Sequence, residues 1–105
     1  MEDCTGFQWD SGNSEKNWKR HKVSQSECEQ VFFNLPLVVS LDWEHSGEEV
    51  RFYALGLTDA ARPLFVVYTL RGELIRVISA RDMTQRERKQ FQDARAKESE
   101  ADSEI

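Results

Sequence analysis

The chain is short of cysteine, histidine and long apolar runs, and each shortage removes a class of protein. Its 105 residues hold two cysteines, Cys4 and Cys28. Two thiols make no disulfide scaffold, so both read as free thiols in a reducing compartment. Cys28 falls in an apolar helical pattern and reads as a small buried hydrophobe. Together with His21 and His45 the cysteines offer metal-ligating groups, but no CxxC or HxxxH spacing joins them. Neither a metal site nor a cofactor is expected. No apolar run approaches the roughly 20 residues that span a bilayer. The opening stretch, MEDCTGFQWD, is acidic and has no apolar segment of the signal-peptide kind. The expectation is a cytoplasmic protein without membrane contact. Glycine-rich phosphate loops, GxSxG elbows and triad spacings are all missing, which excludes many enzyme classes. A metal-free ribonuclease survives this elimination. RNA brings its own nucleophile, the 2′-hydroxyl, and the protein need add only a few positioned basic and hydroxyl groups.

What the chain has is charge, unevenly placed. Its formal net charge is −5, with 31% of residues charged and 39% hydrophobic, an ordinary balance for a folded domain. The last eight residues, ESEADSEI, contain Glu98, Glu100, Asp102 and Glu104 and no base, so the rest of the chain is close to neutral. Lys16, Lys19, Arg20 and Lys22 form one basic stretch, and residues 71–89 form another that carries Arg71, Arg76, Arg81, Arg86, Arg88 and Lys89. Such stretches are more often solvated surface than sites, but on a neutral body they are compatible with an anion-binding face. Length and composition predict one domain over residues 1–93, followed by an acidic tail, 94–105, that is frayed or disordered.

Residues 7–10 read as a short strand entering a helix capped by Asp10, with Asn13, Lys16, Asn17 and Arg20 near one face. That helix ends near His21 and Lys22. Ser24 and Glu27 have capping-box spacing for a second helix, with Val23 and Cys28 as a hydrophobic staple and Cys28, Val31 and Phe32 as its buried stripe. Residues 34–36 stop it. Four strands follow, at 37–43, 50–58, 63–70 and 73–80, and their short connections predict an antiparallel meander. Thr84 and Glu87 repeat the capping-box spacing at a third helix, anchored by Phe91. The predicted fold is therefore α+β: a four-stranded antiparallel meander, two N-terminal helices, one C-terminal helix and a short N-terminal strand, with the helices mostly on one face.

The last two strands carry the most unusual feature, a charged Arg76 inside the apolar run LIRVISA. With Arg71 and Gly72 as the turn, Leu70 pairs with Glu73, Thr69 with Leu74, Val67 with Arg76 and Phe65 with Ile78. Arg76 then shares a face with Phe65, Val67 and Thr69, while Ser79 falls on the other with Leu64, Val66 and Val77. A half-buried guanidinium needs a partner. One reading is an ion pair with Glu49, Asp42 or Glu87. The other is phosphate, whose oxygens suit a planar fork.

Taken together, FQWD, NWKRHKVS, ECEQVF, LPLVVSLD, HSGEEVRFYALG, LFVVYTLRG and IRVISARDMTQRERKQF, in that order and spacing, resemble the BrnT family of toxins. The resemblance runs from about Phe7 to Phe91. It implies a RelE-like ribonuclease of a type II toxin–antitoxin pair that inhibits translation and is neutralised by a BrnA-type antitoxin, through which alone it meets DNA. Matched positions are Arg20 and His21, Arg51, Thr69, Arg71, Arg76, Ser79, Arg81, Glu87 and Arg88. Among them Arg76 and Arg81 are expected to stabilise phosphate, with Arg51 as a third and His21 as a proton-transfer group. Lys19, Arg20, Thr69, Arg71, Ser79 and Arg88 are expected to contact RNA, and Glu87 to hold an arginine in place. Departures from the family pattern are Arg20 where lysine is common, Lys22 where glycine is common, Gln25 in place of an aromatic, and Phe91 in place of tyrosine. Phe91 thus has no hydroxyl for proton transfer. A second reading makes the chain a non-catalytic module that acts only through its antitoxin in operator repression.

Overall fold

Each of the three helices begins on a side-chain oxygen, as the spacing of polar residues predicts. In the computed structural model, which describes residues 5–44 and 46–103, helix α1 spans Ser11–His21 and helix α2 spans Gln25–Phe33. Asp10 accepts from the Asn13 amide, and Asn13 returns the bond to the Asp10 amide. Ser24 and Glu27 do the same for α2. Helix α3 spans Gln85–Ser103, and Glu87 with Thr84 forms the third reciprocal cap. Each arrangement satisfies two backbone donors that a helix start leaves open. Cys4 and His45 lie outside the described residues.

The strands are β1 (Gly6–Phe7), β2 (Val38–Leu41), β3 (Phe52–Leu57), β4 (Pro63–Arg71) and β5 (Leu74–Asp82), in the sheet order β1-β5-β4-β3-β2. The meander β2 to β5 is antiparallel as expected, but the sheet is five-stranded and mixed, because β1 lies parallel to β5. Parallel pairing over such a sequence separation has no local signal. Its physical cause is the exposed edge of β5, whose unpaired polar groups need partners. The Thr5 and Gln8 amides donate to Glu73 and Ile75 carbonyls, both at 2.8 Å. Beyond β1 the helix takes over the same edge. Asn13 donates to the Val77 carbonyl and Asn17 accepts from the Ala80 amide, both at 3.0 Å, and both asparagines are buried.

The β4–β5 hairpin departs from its expected register. Arg71 pairs with Leu74, Thr69 with Arg76 and Tyr68 with Val77, so the two-residue turn is Gly72-Glu73. Gly72 stands at φ +60°, a conformation it adopts without the Cβ penalty, and so takes the first turn position. Between Tyr68 and Val67 the register slips, and Val67 pairs with Ser79 and Phe65 with Arg81. Ile78 is the extra residue of this bulge. Strict alternation puts Ser79 with Val77. The bulge instead buries both Val77 and Ala80 and turns Ser79 and Arg81 to the side of Arg76.

The helices also divide between faces rather than sharing one. Val23, Cys28 and Val31 pack on Ala54, Leu64, Val66, Tyr68, Ile75, Val77 and Ala80. Gly56 permits this approach of α2, since a Cβ there would stand 2.8 Å from Val31 Cγ1. On the opposite face Leu55, Met83 and Phe91 form a smaller core with Val38, Tyr53, Leu57 and Phe65 under the start of α3. Phe91 is the expected anchor, but α3 runs on to Ser103, past residue 93 where the sequence reading ends the folded domain. Glu, Lys and Ala are strong helix formers, so a helix nucleated at Thr84 propagates through them. Burial pushes the Cys28 thiol up to about 12, so it behaves as the expected apolar filler.

Candidate nucleic-acid interface

Because α2 covers one face of the sheet and α3 only one end of the other, the described residues leave the remaining face open. Two adjoining depressions lie there. One, of about 340 Å³, is lined by Gly12, Asn13 and Lys16 of α1, Glu49 and Arg51, Arg71, Arg76 and Ile78. The other, of about 230 Å³, is lined by Lys16, Asp42, Arg51, Val67, Ile78 and Ser79. Four cations thus face one surface, where the bulge has also placed Ser79.

Each cation is held differently. Arg76, 18% exposed, donates to both Asp10 oxygens at 2.9 and 3.4 Å, and to Gln8 Oε1 at 3.4 Å. Its partner is the α1 cap, not Glu49, Asp42 or Glu87. Parallel β1 carries the helix start to the β5 edge, and no sequence spacing reveals that. The Arg76 guanidinium and the Asn13 amide hold the Asp10 carboxyl below its usual value. Arg71 makes a longer contact with Glu49, 3.4 Å, and keeps that carboxyl low. Arg51 and Lys16 join no ion pair among the described residues. The Arg51 backbone is fixed, its amide donating to Ser46 Oγ at 3.0 Å and its carbonyl accepting from the Asp42 amide at 2.8 Å. Thr69 is 1% exposed and its hydroxyl donates to the Val50 carbonyl at 2.7 Å.

Arg81 lies further along the same sheet face but under α3. Its guanidinium meets both Glu87 oxygens, at 2.7 and 2.9 Å, and stacks 4.2 Å from the Phe65 ring centre. Burial alone would raise the Glu87 carboxyl; Arg81 and the Thr84 amide outweigh it and hold it low. Arg81 therefore joins β5 to the first turn of α3.

His21 is placed elsewhere. Its carbonyl accepts from Arg62, and its ring is close enough to help lower the Asp82 carboxyl. Arg62 also bonds Asp82 at 2.7 Å, Glu27 at 3.0 Å and the Lys22 carbonyl at 2.9 Å, clamping the end of α1 to α2 and β5. On a helical wheel Lys16 and His21 sit on opposite flanks of the Asn13–Asn17 stripe. Arg20, exposed, follows Lys16 by one turn; Lys19 is exposed beside it. Arg88 lies on α3 beside a shallow hollow lined by Leu57, Met83 and Phe91. The fold thus gathers Arg51, Thr69, Arg71, Arg76 and Ser79, sets Arg81 beside them, and leaves His21 and Arg88 at another end. Sequence reasoning missed Lys16 and Glu49 as site residues and Asp10 as the partner of Arg76. The Asp10 cap and the Lys16–Arg20 spacing were the available signals.

The family model for the ribonuclease toxin BrnT of type II toxin–antitoxin systems matches residues 9–87. The chain belongs to the BrnT family. This BrnT chain is accordingly a ribonuclease toxin of a type II system, and such a system implies an antitoxin partner. The matched stretch begins beside the Asp10 cap and ends on Glu87, so it contains every residue lining the open face and leaves out the acidic tail. No curated protein matches the chain. Among its described residues no helix is long and apolar enough to cross a membrane.

Proposed function

We propose that this BrnT chain cleaves RNA on the open sheet face without a metal ion, by attack of the 2′-hydroxyl on the adjacent phosphate. Arg51 and Arg76 hold the phosphate, with Lys16 and Arg71 beside them and Ser79 as a hydrogen-bonding neighbour. The carrying observation is the convergence of four cations on one uncovered face, two of them without an ion-pair partner among the described residues. Cations already held on one face stabilise the charge that builds on phosphorus with little reorganisation. Arg81 contributes through Glu87 by tying β5 to the first turn of α3. Lys19 and Arg20 extend the basic surface along α1 and Arg88 along α3, while His21, half-buried beside Arg62 and Asp82, has weaker support as a proton-transfer group. Cleavage takes place in the cytoplasm and stops translation, and a BrnA-type antitoxin neutralises the chain.

Purified chain incubated with RNA in excess chelator tests the reading. Wild type is expected to cleave, and Arg51→Ala, which breaks no ion pair among the described residues, to lose about 10²-fold or more in rate. Cleavage that stops in chelator, or an Arg51→Ala variant as fast as wild type, contradicts it.

A further inference from the structure

Phosphate-holding arginines do not explain how the 2′-hydroxyl loses its proton, since a guanidinium stays protonated in a protein. A base must stand at the same face. Asp10 is spent on the α1 cap and on Arg76, and Asp42 is not without a partner. Glu49 differs from both. Thr69 Oγ1 donates to the Val50 carbonyl at 2.7 Å and, standing near this carboxylate, helps Arg71 hold it low. Glu49 Oε1 is left buried with no hydrogen-bond donor among the described residues. Its other oxygen has only the long Arg71 contact among the described residues, and the side chain is 40% exposed on the wall of the depression.

We propose that Glu49 accepts the proton of the RNA 2′-hydroxyl. The inference rests on the open face being the cleavage site. Through Oε2, Glu49 removes the proton as the 2′-oxygen bonds to phosphorus; the bond from phosphorus to the 5′-oxygen breaks, and that oxygen takes a proton from solvent. The products are a 2′,3′-cyclic phosphate and a 5′-hydroxyl, and Glu49 returns its proton to solvent. Arg71 and the Arg51 charge keep the carboxyl ionised at neutral pH, so it meets substrate as a base.

The test uses the full chain, a cleavable RNA oligonucleotide and its uncleavable 2′-O-methyl counterpart. Glu49→Gln is expected to cleave about 10²–10⁴-fold more slowly while binding the 2′-O-methyl strand as wild type does. Wild-type rate should fall as pH drops through the Glu49 pKa, below the usual glutamate range, and Glu49→Gln should lack that limb. Glu49→Asp, which keeps the charge, should retain the limb at reduced rate. A Glu49→Gln variant that loses binding as Arg71→Ala does, yet cleaves bound RNA at the wild-type rate, makes Glu49 a positioning residue and overturns the proposal. So does a Glu49→Asp variant indifferent to pH, the deciding result where Glu49→Gln fails to fold. Wild type inert on RNA overturns the proposed function instead.

Discussion

At the scale of single residues, Arg76 and the Asp10 cap hold each other at 2.9 Å across the β5 edge. Arg76 stands out within an apolar strand because a charge there is costly. That its partner is Asp10 depends on β1 lying parallel on the β5 edge, a pairing with no local signature. In sequence Glu49 reads only as an ion-pair partner, because the burial of its Oε1 depends on Val50 and Thr69 meeting across strands. Lys22 shows the reverse case. The family commonly has glycine there, and the structure supplies the reason: Lys22 is the α1 cap at φ 55°, ψ 41°, a left-handed conformation. Its ammonium lies 5.3 Å from the Trp18 ring, a contact that offsets part of the strain. Lys22→Gly is expected to raise stability by about 0.5–1 kcal/mol, measurable by chemical denaturation.

At the scale of elements, helix starts were legible because capping boxes are short-range chemistry, and all three lie where the polar spacing puts them. Strand order in the meander was legible for the same reason, since short connections leave few choices. The bulge at Ile78 was not, because counting by twos cannot see an inserted residue. Its consequence is large: it moves Ser79 and Arg81 across the sheet. The bulge sits where α1 replaces a neighbouring strand, and Asn17 satisfies the Ala80 amide there. Asn17→Ala leaves that buried donor unpaired and is expected to cost about 1–3 kcal/mol in thermal or denaturant unfolding. Gly56→Ala should also destabilise, by about 1–3 kcal/mol, because Val31 must move to admit the methyl group.

At the scale of the whole molecule, the net charge concealed the function. An acidic chain argues against nucleic acid until its acids are located: many lie in the tail or pair with arginines, which leaves cations exposed on one face. The same pairs set the response to acid. Asp10, Glu27, Asp82 and Glu87 all have carboxyl pKa values below their ordinary 3.8 or 4.5, through arginine partners and backbone amides. A carboxyl that binds protons more weakly folded than unfolded adds stability above its unfolded pKa and loses it as pH falls through the folded value. Stability should therefore hold from neutral pH to about pH 5 and fall below about pH 4, as melting against pH would show. Added salt should weaken RNA binding with a slope set by the phosphates engaged.

On the proposed reading, RNA lies on the open sheet face between α1 and the β4–β5 hairpin. Amide and side-chain chemical shifts of the isotopically labelled chain, titrated with a 2′-O-methyl RNA strand, test it most directly. The largest perturbations should fall on Lys16, Glu49, Arg51, Arg76, Ile78 and Ser79. Perturbations centred instead on His21, Arg62 and Asp82, with the open face silent, would contradict it.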